Sequence, residues 1–544
     1  MKLHKFKFWC VALVISLFLV SFQTDIYFKI NKSFDIFSSI FRIISENYVL
    51  DIDPQILIKS GIEGMLKSLD PYTEYYDSDD KEELEFLANA SYTGLGISVS
   101  VIDSQLTITG IRDSFPAFKS GLKVGDRILK IDSIIVLNFS SEKLRDYTKG
   151  EAGSALEITV ISERNDTSTH KLIRESIVLD NISYSGFISK NVGIIKLERF
   201  TRTSAYDMRK AIADLRRKDS LSALIIDLRD NPGGLLDAAV GICELFLPNH
   251  SLIVTTKARE GIITGEFSTI SIPAEPDLPL CLLINENSAS ASEIVAGAIQ
   301  DYDRGIILGK KSYGKGLVQS IFDLPFNGNI KITTSKYYTP SGRCIQKLDF
   351  AEKYHGKIVK NVNDNNYFRT KNGRIVYELN GIQPDSILNE ENDVPIINDL
   401  IFRFIDFKFT KYYINKFTNI DPNNLNDDLI FAEFVKYLVD NDYTPKTQIF
   451  ESLDSISRKL KNDNLSKKER DIVYEFENII NKRYLEDIKK YSYEITKILR
   501  IGIMSRYLKE REVLGKLYEI DSLTLISSHI LKSSKYDHIL RNQR

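Results

Sequence analysis

A chain of 544 residues is long enough for about three to five domains at roughly 100–200 residues each, which excludes a single compact core. Hydrophobic residues at 43% and charged residues at 27%, with only 28 Gly and 14 Pro, exclude disordered, collagen-like and proline-rich classes. Lys+Arg 72 against Asp+Glu 74 leaves a net charge of −2 and no global field toward nucleic acid, and the scattered Cys10, Cys243, Cys281 and Cys344 and six histidines form neither CxxC nor HExxH, so no metal is predicted.

The first stretch, 1–33, holds an address. Lys2, Lys5 and Lys7 precede an uncharged apolar run from Phe8 to Phe22, the basic-then-apolar pattern of an export signal. No A-x-A site follows, so an uncleaved signal-anchor over residues 8–24 is favoured over a cleaved signal peptide, with the rest of the chain exported. From 34 to 91, Phe34, Phe37, Ile40, Phe41 and Ile44 recur at helical spacing until Asp70-Pro71 breaks the pattern, which predicts a small helical module. From 92 to 180 the texture is alternating (Ile97, Val99, Val101; Leu106, Ile108; Ile128, Ile131) with glycine turns, which predicts short strands. From 181 to 392, strand-like runs (GIIKL, ALIIDLR, LCLLIN, GIILG) alternate with helix-like runs such as Tyr206–Lys218 and Ser290–Asp301, the texture of an α/β layer fold. From 393 to 544 the chain is Lys-, Asn-, Tyr- and Ile-rich, with helical periodicity through Lys468–Arg500. The alternating charge signs there mark a solvated helical surface rather than an RNA-binding tail.

The chemistry lies in the α/β stretch. Asn287-Ser288-Ala289-Ser290-Ala291-Ser292-Glu293 follows a buried-strand run and opens a helix, placing a serine beside the positive end of the helix. Such a serine is commonly an N-cap. A strand further on, Gly314-Lys315-Gly316 supplies a lysine, and no His-Asp pair stands nearby. A lysine held neutral by desolvation can serve as the base of a Ser-Lys pair. Gln319, four residues beyond Lys315, can orient the amine without adding negative charge. Asp227-Leu228-Arg229-Asp230-Asn231-Pro232-Gly233-Gly234 ends a strand in a turn able to present N–H groups to an oxyanion. The run Gly309–Gly316 also approaches a phosphate-binding loop, but Gly316 stands where the motif needs Ser or Thr and no helix clearly follows.

Taken as a set, DLRDNPGG, NSASASE, QDYDR and YGKGLVQ resemble the carboxyl-terminal processing peptidases, or tail-specific proteases, over about Phe34 to Asp385. LDPYTEY (69–75), YYTPSGR (337–343) and GIQPD (381–385) are similar to further strings of that family. The resemblance implies Ser290 as nucleophile, with Ser288 and Ser292 as its rivals, Lys315 as base and Gln319 positioning the lysine. It also implies an oxyanion hole from Ala291 and a glycine of the Gly233, Gly234 pair. Asp301 matches an acidic position sometimes implicated in the family, and we read it as structural. Tyr92–Ile97 and Ser120–Leu129 resemble a PDZ domain, which implies that Gly94, Leu95, Gly96 and Ile97 bind a free carboxylate and the adjoining strand edge pairs with a peptide tail. Ser140–Thr148 is then the flanking helix, with Leu144 and Tyr147 shaping the pocket.

The fold expected is multidomain α+β: an N-terminal helical segment, a PDZ-like β domain, an α/β protease core of crotonase-like layers and a helical C-terminal extension. The activity expected is a cofactor-free serine endopeptidase of the periplasm or cell envelope, anchored to the inner membrane, which captures unstructured C-terminal tails and loses rate as pH falls through the pKa of its lysine. The C-terminal extension is of a kind that serves homo-oligomerisation or adaptor docking in some members; nucleic acid is not an expected partner. The alternative is a catalytically silent tail-binding adaptor or scaffold, which would have no reason to keep Ser290, Lys315 and Gln319 together. An acyl-CoA enzyme of the crotonase type is disfavoured by the Ser-Lys pair and the PDZ insertion.

Overall fold

The computed structural model describes residues 26–541 apart from 81–82, 84, 87–88, 351–359, 362–365, 379, 388–393 and 446–466. The apolar run at 8–24 lies outside the described residues, as does Cys10, and among the described residues no helix is long and apolar enough to cross a membrane. The chain divides into two compact units. One takes in the chain up to Ser78 with Gln319–Thr333 and Asp349–Lys360; the other comprises Asp79–Val318, Thr334–Leu348 and Asn361–Arg544.

In the first unit a helix over 26–47 is followed by helix Pro54–Lys67. Asp53 caps the latter by accepting the Gln55 N–H at 2.8 Å, and Pro54 sits where the helix needs no N–H donor. The LDPYTEY string is a side-chain-built turn: Asp70 accepts the N–H groups of Tyr72 (2.8 Å) and Thr73 (2.9 Å). The chain then enters strand Glu74–Tyr76, which pairs antiparallel with residues 329–331. A strand therefore closes the segment whose periodicity predicts helix alone.

The second unit begins with a small β domain. Strands Ile97–Ile102, Gln105–Ile111, Arg127–Ile131, Ala155–Ile161 and Thr167–Ile173 form one antiparallel sheet in that order. Ser91–Gly94 pairs with Glu175–Val178 in a separate two-stranded sheet. Leu106 and Ile108, and Ile158 and Val160, point inward at period two, Ile128 and Ile131 do so across a bulge, and together they build its core. Helix Ser141–Thr148 starts at Ser140, whose hydroxyl accepts the Lys143 N–H at 3.2 Å, and buries Leu144.

The α/β core has six strands in the order Ile182–Ser189, Val192–Leu197, Ala223–Asp227, Leu280–Ile284, Ile306–Gly309, Ser386–Ile387. The first pair is antiparallel and the rest are parallel. The four strands from Val192 to Gly309 are buried at every position, which is why they read as unbroken apolar runs rather than alternation. One face packs on helices Ser204–Lys218, Leu236–Cys243 and Ala291–Asp301. Ser204–Lys218 is amphipathic, burying Met208, Ala211, Ile212 and Leu215, whereas Ala291–Asp301 is buried along its whole length.

What covers the other face was not legible beforehand. Val192, Ile194, Ile225, Leu283, Ile306 and Leu308 pack against Tyr518, Leu523, Ile530, Leu531 and Leu540. These belong to helices Glu510–Ile520, Ser522–Leu531 and Lys535–Arg541, so the end of the chain is the third layer of the core. The preceding helices, Pro395–Phe402, Ile405–Lys416, Asp427–Asp440, Lys467–Lys490 and Ser492–Met504, gather around Phe409, Ile430, Phe434, Ile495 and Leu499 in a core of their own.

Candidate active site

Strand Leu280–Ile284 delivers the three serines to the start of helix Ala291–Asp301, and their hydroxyls have different fates. Ser288 is fully buried; its Oγ donates to Leu228 O at 2.8 Å and accepts the Asn285 N–H at 2.9 Å. Ser292 is fully buried, and its Oγ donates to Asn231 O at 2.9 Å. Both therefore tie the helix start to the turn after Asp227. Ser290 is part-exposed and takes the left-handed φ of 54° (ψ −112°), unusual for a residue with a Cβ. With Glu293 it forms a capping-box pair, in which Glu293 Oε2 accepts the Ser290 N–H at 2.8 Å.

Glu293 was not singled out by sequence reasoning, although Ser-x-x-Glu before an apolar run is the signal that finds it. Its carboxylate is fully buried and gathers donors from three further residues of the loop after strand Ile306–Gly309. Oε2 also accepts the Lys315 N–H (2.9 Å), and Oε1 accepts the Gly314 N–H (2.7 Å) and the Ser312 hydroxyl (2.5 Å). One oxygen thus binds the backbone of both Ser290 and Lys315. Burial pushes the Glu293 carboxyl up to about 6 against the opposing pull of those donors. Tyr337, also buried, donates its hydroxyl to Ser290 O at 3.1 Å.

Gly233, with φ +101°, lies against the same segment. A Cβ there would fall 2.7 Å from Ala289 O, 2.9 Å from Ala291 N and 2.9 Å from Ser290 Cβ. Its N–H is taken by Asn231 Oδ1 at 2.9 Å, whereas the N–H of Gly234, which is exposed, and that of Ala291 have no hydrogen-bond partner among the described residues. Lys315 is half-buried. Gln319 belongs to the first unit, where its Nε2 donates to Thr333 Oγ1 at 3.1 Å.

The QDYDR and GIQPD strings are structural. Asp301 accepts from Arg343 at 2.7 Å and from the Ser341 N–H at 2.9 Å, with both ion-pair side chains essentially inaccessible. Arg374, which no motif marks, bridges Asp303 and Asp385 at 2.6 Å each. Asp385 in turn receives Gln300 Nε2 (2.8 Å) and the Ile307 N–H (2.8 Å).

In the β domain, Gly94, Leu95, Gly96 and Ile97 line a cavity of about 470 Å³ whose other wall includes Leu144 and Thr148. Gly96 is required by its φ of +77° and by Phe115, whose Cβ would lie 2.7 Å from a side chain there. The Leu95 and Gly96 carbonyls are engaged by the N–H groups of Ala117 (3.0 Å) and Arg112 (2.9 Å). Tyr147 does not line this cavity; its ring packs on Phe139 at 5.3 Å instead.

Sequence comparison identifies these parts as a PDZ domain, a peptidase core and a C-terminal helical domain. The family model "Peptidase family S41" matches residues 191–354, "PDZ domain" 93–170, "Probable PDZ-protease, C-terminal helical domain" 396–523 and "Activating protease CtpB N-terminal domain" 21–80. The carboxy-terminal-processing protease of Bartonella bacilliformis is 36% identical over 316 residues, 57% of this chain and 72% of that protein. The carboxyl-terminal-processing protease of Picosynechococcus is 35% identical over 286 residues, 51% and 68%. The photosystem II D1 C-terminal processing protease matches at 23% identity over 65% of this chain and 92% of that one, with a TM-score of 0.36. The chain belongs to the S41 family of carboxy-terminal processing proteases, serine-type peptidases that act on C-terminal regions.

Proposed function

We propose that this protein is an exported Ser-Lys endopeptidase of the cell envelope that captures unstructured C-terminal tails in its PDZ groove. The observation carrying this reading is the sorting of the serines: Ser288 and Ser292 are spent on backbone carbonyls, and Ser290 alone keeps a part-exposed hydroxyl, next to a carboxylate that also holds Lys315. Ser290 Oγ attacks the scissile carbonyl carbon as its proton passes to neutral Lys315 Nζ. The oxyanion is met by the Ala291 N–H and the Gly233–Gly234 turn. Lys315 then protonates the leaving amine, the C–N bond breaks and an acyl-enzyme remains. Water attacks the ester, giving its proton to Lys315, and Ser290 is restored. The tail adds to strand Ile97–Ile102 with its carboxylate at Gly94–Ile97.

The test uses the full chain and an unfolded reporter with an apolar free C-terminus. Cleavage by wild type that disappears in both Ser290→Ala and Lys315→Ala is expected, while Ser288→Ala and Ser292→Ala keep measurable turnover. Tail binding without cleavage by wild type would favour the adaptor reading instead.

A further inference from the structure

Asp227 ends the central strand Ala223–Asp227 and is fully buried, and its carboxylate binds more than its local partner. It takes the Arg229 guanidinium (2.8 and 3.0 Å) and N–H (2.9 Å), and also the hydroxyl of Tyr518 at 2.8 Å. Arg229 reaches Asp521 at 3.1 Å, and Asp521 holds Lys497 at 3.1 Å while capping helix Ser522–Leu531 through the Thr524 N–H at 3.0 Å. The residues that follow Arg229 are tied to the nucleophile segment. Asp230 accepts the side-chain amides of Asn285 (2.9 Å) and Asn287 (2.8 Å), and Asn231 O accepts the Ala289 N–H (3.0 Å) and the Ser292 hydroxyl. The same helical region grips the PDZ domain. Arg506 pairs with Glu163 at 3.1 Å, both side chains nearly buried, Lys408 with Asp103 at 2.7 Å, and Glu510 with Arg112 at 3.7 Å. Helix Glu510–Ile520 therefore meets the PDZ domain at its first residue and Asp227 near its last turn.

We propose that the C-terminal helices are a working part of the peptidase: Tyr518 and Asp521 are positioning residues that hold Asp227 and Arg229, and through them the turn 230–234, while Arg506, Lys408 and Glu510 fix the PDZ domain relative to that turn. The inference rests on the Ser-Lys reading of the turn. The physical reason is that Arg229 is shared between two carboxylates, one from the end of its own strand and the other from the N-cap of a helix 292 residues away. Asp227 is kept ionised because Arg229 and Lys196 outweigh the burial that opposes charge. A part-buried guanidinium deprived of one partner shifts, and a displacement of about 1 Å at a catalytic turn costs on the order of 100-fold in rate.

The experiment measures kcat and KM on the tail-bearing reporter and on a short peptide that does not engage the PDZ groove, tail affinity by fluorescence anisotropy, and the thermal midpoint. It is run on full-length wild type, Ser290→Ala, Tyr518→Phe, Asp521→Asn and Glu163→Gln. Tyr518→Phe and Asp521→Asn are expected to lower kcat on both substrates by about 10-fold or more, with KM and tail affinity within about 2-fold and a folded protein. Glu163→Gln is expected to keep the short-peptide kcat and lose kcat/KM on the tail-bearing reporter. Wild-type kcat in both Tyr518→Phe and Asp521→Asn, or losses that follow only the fraction folded, would overturn the positioning role. Identical behaviour of Glu163→Gln and wild type on both substrates would overturn the PDZ half. An inactive wild type, or an active Ser290→Ala, strikes the Ser-Lys reading itself and takes this inference with it.

Discussion

Glu293 holds four donors on two oxygens, and its protonation state decides whether all four can be kept. A proton on Oε2, both of whose partners are N–H donors, would face an N–H, so protonation there loosens the arrangement of Ser290 and Lys315 below about pH 6. Stability runs the other way. The folded pKa lies above the ordinary 4.5, so the contribution is full below that range and is lost as pH rises through about 6, amounting to about 2 kcal/mol. Beside the acid limb that a lysine base gives both proteins, kcat of wild type is therefore expected to show a further fall near pH 6 that Glu293→Gln lacks, measured from pH 5 to 9 with saturating reporter; superimposable profiles would exclude the role. Gly233 makes a second prediction. A Cβ there strikes backbone atoms of Ala289 and Ala291, so Gly233→Ala is expected to cost on the order of 100-fold in kcat, the scale of one lost oxyanion donor, while tail affinity is unchanged.

At the scale of elements, helix Ala291–Asp301 is held at both ends by different chemistry. Its start is tied by Glu293, Ser288 and Ser292, and its end by Asp301 on Arg343. Because the Arg343 and Asp301 side chains are essentially inaccessible, Arg343→Met leaves an unpaired buried carboxylate and is expected to destabilise by about 3–5 kcal/mol, read from urea unfolding. A full-stability variant would mean that Asp301 finds another partner. In the PDZ domain, Gly96→Val should abolish tail binding in an anisotropy titration while leaving turnover of a short peptide intact, since Phe115 and the φ of +77° admit no side chain.

At the scale of the molecule, the sheet is a layer between two helical layers, and the second comes from the last part of the chain. Ending the chain after Leu508 uncovers Val192, Ile194, Ile225, Leu283, Ile306 and Leu308 together. Such a chain is expected to aggregate or bind an apolar dye strongly, and a soluble, cleaving product would contradict the three-layer reading. The ion pairs to the PDZ domain belong to this same region, so the part of the chain without recognisable catalytic strings carries the contacts that span the second unit.

The amino-acid sequence by itself determined the features written within short windows. The fully apolar strands, the alternating β domain, Ser290 at a helix start, Gly233 and Gly96 at turns, and the strings of the S41 family all depend on spacing along one segment, which periodicity and motif preserve. The tertiary structure alone decided the pairings of distant residues. Which of three similar serines stays part-exposed depends on the carbonyls of Leu228 and Asn231, roughly 60 residues away, which hold the other two. The binding of Glu293 to the lysine loop, of Arg374 to two aspartates, and of Tyr518 to Asp227 across 291 residues leaves no local trace. A hydrogen bond or ion pair acts over a few ångströms and is indifferent to chain separation, so only the packing of the sheet and its two helical layers could bring those groups together.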